Sequence, residues 1–210
     1  PNISLLSWEN THLASCGSML DHYSFISISE YARKKGLNIH LDGARIWHSI
    51  LGLNIDPKEI GKEVDSLTFC FSKGLGAPVG SMLLGGKDFI SRARTIRKVL
   101  GGGMRQVGVL AGAARYALDT RKHLLEDHSK ASKIASFFNE LDHPDVTEIL
   151  YMGTNMVFLY FDTEESTNLF IDSLNQSNIK VGAIKPKIVR LVTHLDIKEE
   201  DLLKLFSYFH

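Results

Sequence analysis

Apolar and polar positions alternate along this chain with a period that switches several times. Residues 2–8 (NISLLSW), 37–41 (LNIHL) and 66–71 (SLTFCF) are short runs rich in Leu, Ile and aromatic residues, bounded by polar or glycine-containing clusters. They are predicted as strands, the third of them buried. Between the first two, Ile28, Tyr31 and Ala32 fall on one side of a helix expected from Ser27 or Ser29 to Lys35, with Gly36 as its stop. Residues 13–24 show no clear period and read as a loop around Gly17. Residues 45–51 and 57–62 add shorter helical stretches, and 79–84 a further apolar run. Helix alternating with strand over the first 71 residues points to an α/β architecture with a largely parallel sheet.

The pattern then lengthens. Phe89 to Leu100 carries Arg92, Arg94, Arg97 and Lys98 and reads as an exposed basic helix. Residues 104–122, rich in Ala, Leu and small side chains, are expected to form a buried helix. The helical pattern continues over 123–141 with Ile134, Phe137, Phe138 and Leu141 as its apolar stripe. Beyond the break at Pro144 come a strand at 155–161, a helix at 164–176, a strand at 188–193 and a helix at 198–209. The last helix is expected to open on Asp196-x-x-Glu199 in the manner of a capping box. This second half reads as a small α+β domain; the boundary falls within 125–144, which divides the chain into 1–130 and 131–210.

Composition narrows the function classes. With 24 basic and 24 acidic residues the formal net charge is zero, so no basic excess points to nucleic acid or an anionic membrane. No apolar run approaches the ~20 residues of a membrane span. Cys16 and Cys70, the two cysteines, are far apart, which favours a reducing, cytoplasmic setting over a disulfide scaffold. The nine histidines lack metal-ligand spacing, so no metal site is expected. The first residue is Pro1 rather than Met, so the chain reads as a piece of a longer protein.

The candidate chemistry gathers around residues 66–86. The strand ends at Ser72-Lys73, and Gly74, Gly76 and Gly80 follow with Pro78 among them. A lysine there sits where open α/β sheets place their ligands. Partial desolvation would favour the neutral, nucleophilic amine of a carbonyl-binding lysine. The competing reading is a solvated loop lysine. The glycines do not have G-x-G-x-x-G spacing, and 80–87 departs from a phosphate loop, with Asp88 where Ser or Thr would hold magnesium. Asp42, just past the second strand, would share an edge with Lys73. An acid and a lysine on one edge suit pyridoxal phosphate, the acid facing the ring nitrogen and the lysine holding the aldehyde as an imine. Asp42 could instead cap a helix. Arg45, one turn on, suits a substrate carboxylate or an exposed helix position. Arg190, within the apolar strand IVRLVT, requires a partner or a cleft.

Five blocks, E-N-T-H at 9–12, H-L-D-G-A-R at 40–45, S-K-G-L-G-A-P-V-G-S at 72–81, G-G-G-M-R-Q at 101–106 and R-L-V-T-H at 190–194, occur in this order. Together they resemble the L-threonine aldolases of the β-eliminating lyase family, fold type I pyridoxal-phosphate enzymes. The resemblance implies part of a fold type I large domain followed by a small C-terminal domain. It implies that Lys73 holds the cofactor covalently, that Asp42 pairs with its pyridine nitrogen, and that Arg105 lies near it. Arg45 and Arg190 would bind the substrate carboxylate and His12 would contact the hydroxyl. The implied reaction is retro-aldol cleavage of L-threonine or L-allo-threonine to glycine and acetaldehyde, in a dimer or tetramer. The family carries a preceding segment with phosphate-binding residues, a ring that stacks on the cofactor and further strands. Two alternatives stay open: another fold type I amino-acid lyase or transaminase-like enzyme, and a truncated, non-catalytic form acting as a binding or assembly partner.

Overall fold

A computed structural model describes residues 2–210, which fall into two compact units. The first comprises the residues up to Thr11 together with Leu20–Lys122; the second comprises His12–Met19 together with His123–His210.

In the first unit, strands β1 (Leu5–Glu9), β2 (Asn38–Asp42), β3 (Ser66–Cys70) and β4 (Ser81–Gly85) pair in the order β1-β2-β3-β4. The first three are parallel and β4 runs antiparallel to β3. Helices α1 (His22–Lys34), α2 (Ile46–Gly52) and α3 (Pro57–Glu63) connect the parallel strands, as crossover connections require. Leu41, Leu67 and Phe69 are buried from the sheet, Phe25 and Ala32 from α1, Ile46 and Ile50 from α2, and Ile60 from α3. Edge-to-face contacts join Trp8 to Phe25 at 5.4 Å and Trp47 to Phe69 at 5.9 Å.

The strand expected to be buried throughout is buried on one side only. Leu67 and Phe69 are buried, whereas Ser66, Thr68 and Cys70 are half-buried. The cross-strand register puts His40 opposite Ser66 and Asp42 opposite Thr68, so these polar residues share the second face. There His40 Nδ1 and Ser66 Oγ lie 2.8 Å apart. Period-2 alternation of small polar with large apolar residues is the physical reason.

Two other differences lie in the helices. Helix α1 begins at His22, well before Ser27, because Asp21 caps it by accepting from the Ser24 N–H at 2.9 Å. Helix α5 (Gly108–Asp119) buries only Ala114 and Ala117, while Val109 and Tyr116 are 74% and 71% exposed. Its small residues permit close packing, but among the described residues its outer face stays exposed. Helix α4 (Lys87–Val99) buries no residue, as expected of the exposed basic helix read at 89–100.

The second unit is a four-stranded antiparallel sheet, β5 (Val146–Tyr151), β6 (Met156–Phe161), β7 (Gly182–Lys185) and β8 (Ile188–Val192), ordered β5-β6-β8-β7. Strands β5 and β7 are absent from the pattern read above; β7 is a four-residue, exposed edge strand with no apolar alternation. Helices α6 (Leu124–Leu141), α7 (Glu164–Gln176) and α8 (Glu199–Tyr208) pack on one face. Phe138, Leu159, Phe170, Val189 and Leu202 lie in that core. Helix α8 opens on Lys198, whose N–H donates to Asp201 Oδ2 at 2.7 Å, so Asp201 rather than Glu199 closes the helix start.

The opposite face carries Met156 and Phe158 and is covered by the early segment 12–19, where Cys16 is fully buried. Cys16 Sγ lies 3.2 Å from the Leu150 carbonyl and 3.5 Å from that of Met156. Burial pushes the Cys16 thiol up to about 11. Gly17 has a φ of +70°, and a Cβ there would stand 2.5 Å from Thr154 Oγ1, which donates to the Gly17 carbonyl at 3.0 Å. The segment read as a loop is thus a fitted piece of the second unit.

Candidate active site

Asp42 is the last residue of β2, and Lys73 lies three residues beyond Cys70, the last of β3. The two strands are adjacent and parallel, so both residues belong to the carboxyl edge where crossovers leave room for ligands. Backbone hydrogen bonds clamp this edge. The Asn10 N–H donates to the Asp42 carbonyl at 3.0 Å, the Gly43 N–H to Thr68 at 2.8 Å and the Cys70 N–H to Ala44 at 3.3 Å.

The Asp42 side chain is exposed, and its Oδ1 accepts from the Ala44 N–H at 3.1 Å. Helix α2 starts only at Ile46, with Arg45 in the capping position. Asp42 therefore braces the turn before the helix rather than capping the helix. Gly43 is buried, and a Cβ on it would stand 2.9 Å from both the Thr68 carbonyl oxygen and Ile46 Cβ. Only glycine lets the residue after Asp42 press this closely onto β3.

The Lys73 turn is anchored from inside. Leu75 and Ala77 are buried, the Ala77 N–H donates to Phe71 at 3.0 Å, and the Gly76 N–H closes on the Lys73 carbonyl at 2.8 Å. Lys73 itself is exposed. The desolvation expected of it is not furnished by the described residues, because the glycines around it carry no side chains to cover it.

Arg45 is half-buried and joined to the same edge through its neighbour Ala44. Arg105 is exposed between α4 and α5, and among the described residues no hydrogen bond or ion pair ties it to the Asp42 edge. His12 and Arg190 belong to the second unit. His12 is exposed, with Nδ1 2.7 Å from Ser15 Oγ. Arg190 is half-buried on β8, in register with Phe158 on one side and Gly182 on the other. The first unit thus brings together Asp42, Arg45 and Lys73.

The family model described as beta-eliminating lyase matches residues 1–163. The chain belongs to the beta-eliminating lyase family. Among curated relatives, the low specificity L-threonine aldolase of Escherichia coli strain K12 is 39% identical over 206 residues, covering 98% of this chain and 59% of the relative. Low-specificity L-threonine aldolase 1 of Arabidopsis thaliana is 36% identical over 214 residues, covering 100% and 59%. This beta-eliminating lyase chain therefore spans about three fifths of the length of these relatives, 59% in each case. The solved threonine aldolase of Leishmania major has the same fold with a TM-score of 0.77, at 17% identity, over 98% of this chain and 59% of that one. The architecture is that of fold type I enzymes.

The geometry adds residues that the pattern of charges passed over. Asn10 donates to the Asp42 carbonyl, and Gly43, the next residue, donates to Thr68. Their signal in the sequence is positional: an amide directly after a strand end, and a glycine directly after the acid.

Proposed function

We propose that this chain is the portion of a pyridoxal-phosphate-dependent lyase that carries its attachment lysine, and that the whole enzyme cleaves L-threonine and L-allo-threonine to glycine and acetaldehyde. One observation carries the reading: an exposed carboxylate and an exposed amine stand at the carboxyl edge of adjacent parallel strands, Asp42 as the last residue of β2 and Lys73 just after β3. This donor set fits a pyridine aldehyde, which needs an amine to hold its carbonyl and an acid opposite its ring nitrogen. When bound, the cofactor supplies an electron sink for the pair released as the Cα–Cβ bond breaks.

The protein's own residues do the rest. Lys73 would hold the cofactor's aldehyde through its amine. Asp42, braced by the Ala44 N–H, keeps a proton on the ring nitrogen. Arg45 and Arg190 are the guanidinium groups proposed for the substrate carboxylate, whose planar forks orient it by paired hydrogen bonds. His12 is proposed to contact the β-hydroxyl, and Arg105 to lie near the cofactor. Residues 1–130 are proposed as part of the cofactor-binding large domain and residues 131–210 as the small domain. Exposed apolar side chains support a homo-oligomer, with Val99 80% and Leu100 79% exposed at the end of α4. A cytoplasmic location is proposed from the two unpaired cysteines.

Added pyridoxal phosphate is expected to give a visible absorbance band that borohydride abolishes, leaving a reduced adduct that survives dialysis and maps to Lys73 by peptide mass. The band disappears in Lys73→Ala. Acetaldehyde release from threonine, against keto-acid release from other amino acids, then tests the reaction. An adduct on another lysine would overturn the assignment of Lys73.

A further inference from the structure

We propose that Asn10 is a positioning residue for Asp42, an inference that rests on the reading of Asp42 as the carboxylate facing the cofactor's ring nitrogen. Asn10 is 1% exposed, so it does not itself meet a ligand. Its side-chain amide spans two elements. Nδ2 donates to Ser49 Oγ on α2 at 3.3 Å, and Oδ1 accepts from the Leu20 N–H at 3.4 Å, where the chain re-enters the first unit. Ser49 is likewise 1% exposed. With its side chain fixed at both ends, the Asn10 main chain presents its N–H to the Asp42 carbonyl at 3.0 Å. It thereby extends the β1–β2 ladder one residue past the Glu9–Asp42 pair.

The chemistry of the side chain matters here. A primary amide carries a donor and an acceptor on one planar carbon without a charge. Aspartate would bring a second acceptor and a buried charge in place of the donor, and alanine would leave Ser49 Oγ and the Leu20 N–H without this partner. On the other side of Asp42, the Gly43–Thr68 bond holds the strand end to β3, at an approach that the absent Cβ permits. Asn10 supplies the matching restraint from the β1 side. A carboxylate at a strand terminus would otherwise sample positions an ångström or more apart, enough to lose a directional bond to a ring nitrogen.

The test compares pyridoxal phosphate with its 1-deaza analogue, in which carbon replaces the ring nitrogen. Dissociation constants are measured on the purified apo-protein, by absorbance, for wild type, Asn10→Ala, Asp42→Ala, Ser49→Ala and Ile50→Val. Wild type is expected to prefer pyridoxal phosphate by at least about tenfold, the worth of one charge-assisted hydrogen bond. Asn10→Ala is expected to reduce that ratio to near the value of Asp42→Ala, while borohydride still traps the cofactor on Lys73. Ser49→Ala, which breaks one of the two anchors, is expected to fall between. Ile50→Val loosens α2 without touching the clamp, so its ratio should stay at the wild-type value even as its melting temperature falls. A wild-type ratio in Asn10→Ala or, should that variant fail to fold, in Ser49→Ala, with Asp42→Ala still collapsed, overturns the role of Asn10. An unchanged ratio in Asp42→Ala overturns the reading of Asp42, and this inference with it.

Discussion

Replacing Gly43 by alanine should be among the costlier single changes in the first unit, although it adds only one methyl group. That methyl would sit 2.9 Å from the Thr68 carbonyl oxygen, which is main chain and cannot rotate away, and 2.9 Å from Ile46 Cβ. Overpacking of this kind costs about 1–3 kcal/mol. Relief requires the strand end to move back from β3, which strains the Gly43–Thr68 hydrogen bond of 2.8 Å and forfeits about another 1 kcal/mol. The sum is about 2–4 kcal/mol. Trp8 and Trp47 are the only tryptophans of the chain and both lie in the first unit, so their fluorescence in a urea titration reports this unit alone. At a urea dependence of about 2 kcal/mol per molar, the midpoint should fall by about 1–2 M. Gly61→Ala is the control. It lies within α3 with nothing within 4 Å of its Cβ position, and helix propensity should make that variant about 0.5–1 kcal/mol more stable. A Gly43→Ala midpoint indistinguishable from wild type would refute the close approach of β2 and β3 at Asp42, and with it the restraint argued for that carboxylate.

Other expectations concern the second unit. Asp127 is fully buried with Lys130 Nζ 3.5 Å away, and desolvation raises its pKa against the opposing pull of Lys130. The folded state then holds the Asp127 proton to higher pH than the unfolded state does, so stability falls as pH rises out of the ordinary aspartate range. Asp127→Asn should remove that fall, gaining on wild type in denaturation series from pH 4 upward; a constant difference would refute it. Lys130→Met leaves the carboxylate buried and unpaired and should cost about 3–5 kcal/mol in the same measurement. Cys16, with its thiol held up to about 11, should resist iodoacetamide in the folded protein while Cys70 reacts; peptide mass mapping before and after urea reads both sites. Gly17→Ala combines a left-handed backbone with a 2.5 Å approach to Thr154 Oγ1, and should lower the thermal midpoint by several degrees.

The parts of this architecture that were legible in the sequence are those where one local rule acts alone. The strand runs at 37–41 and 66–71, each followed by a turn, give the Asp42 and Lys73 edge because parallel crossovers force both ends to one side. The stripe of Ile134 and Phe138 gives the core face of α6 in the same way. What escaped was decided by partners distant in sequence. The exposure of α5 depends on what packs against it, not on its alanines. Strand β7 is held by pairing with β8 and carries no alternation of its own. Asn10 looks like any polar residue after a strand until Ser49, 39 residues later, is placed beside it. The start of α8 is the one local case, settled by Asp201 three residues after Lys198.

The segment 12–19 imposes an order of events on synthesis. It leaves the ribosome among the first residues of this chain, yet the carbonyls that receive Cys16 belong to Leu150 and Met156, 134 and 140 residues downstream. At translation rates of roughly 5–20 residues per second, that is a wait on the order of ten seconds. During this interval Leu13 and Cys16 have no surface of their own to cover. The second unit is therefore not a cassette that can be excised at residue 123 and expressed or exchanged as one uninterrupted stretch. Such a cut would leave Met156 and Phe158 without the piece that seals them, and a functional graft would have to carry two separate lengths of chain.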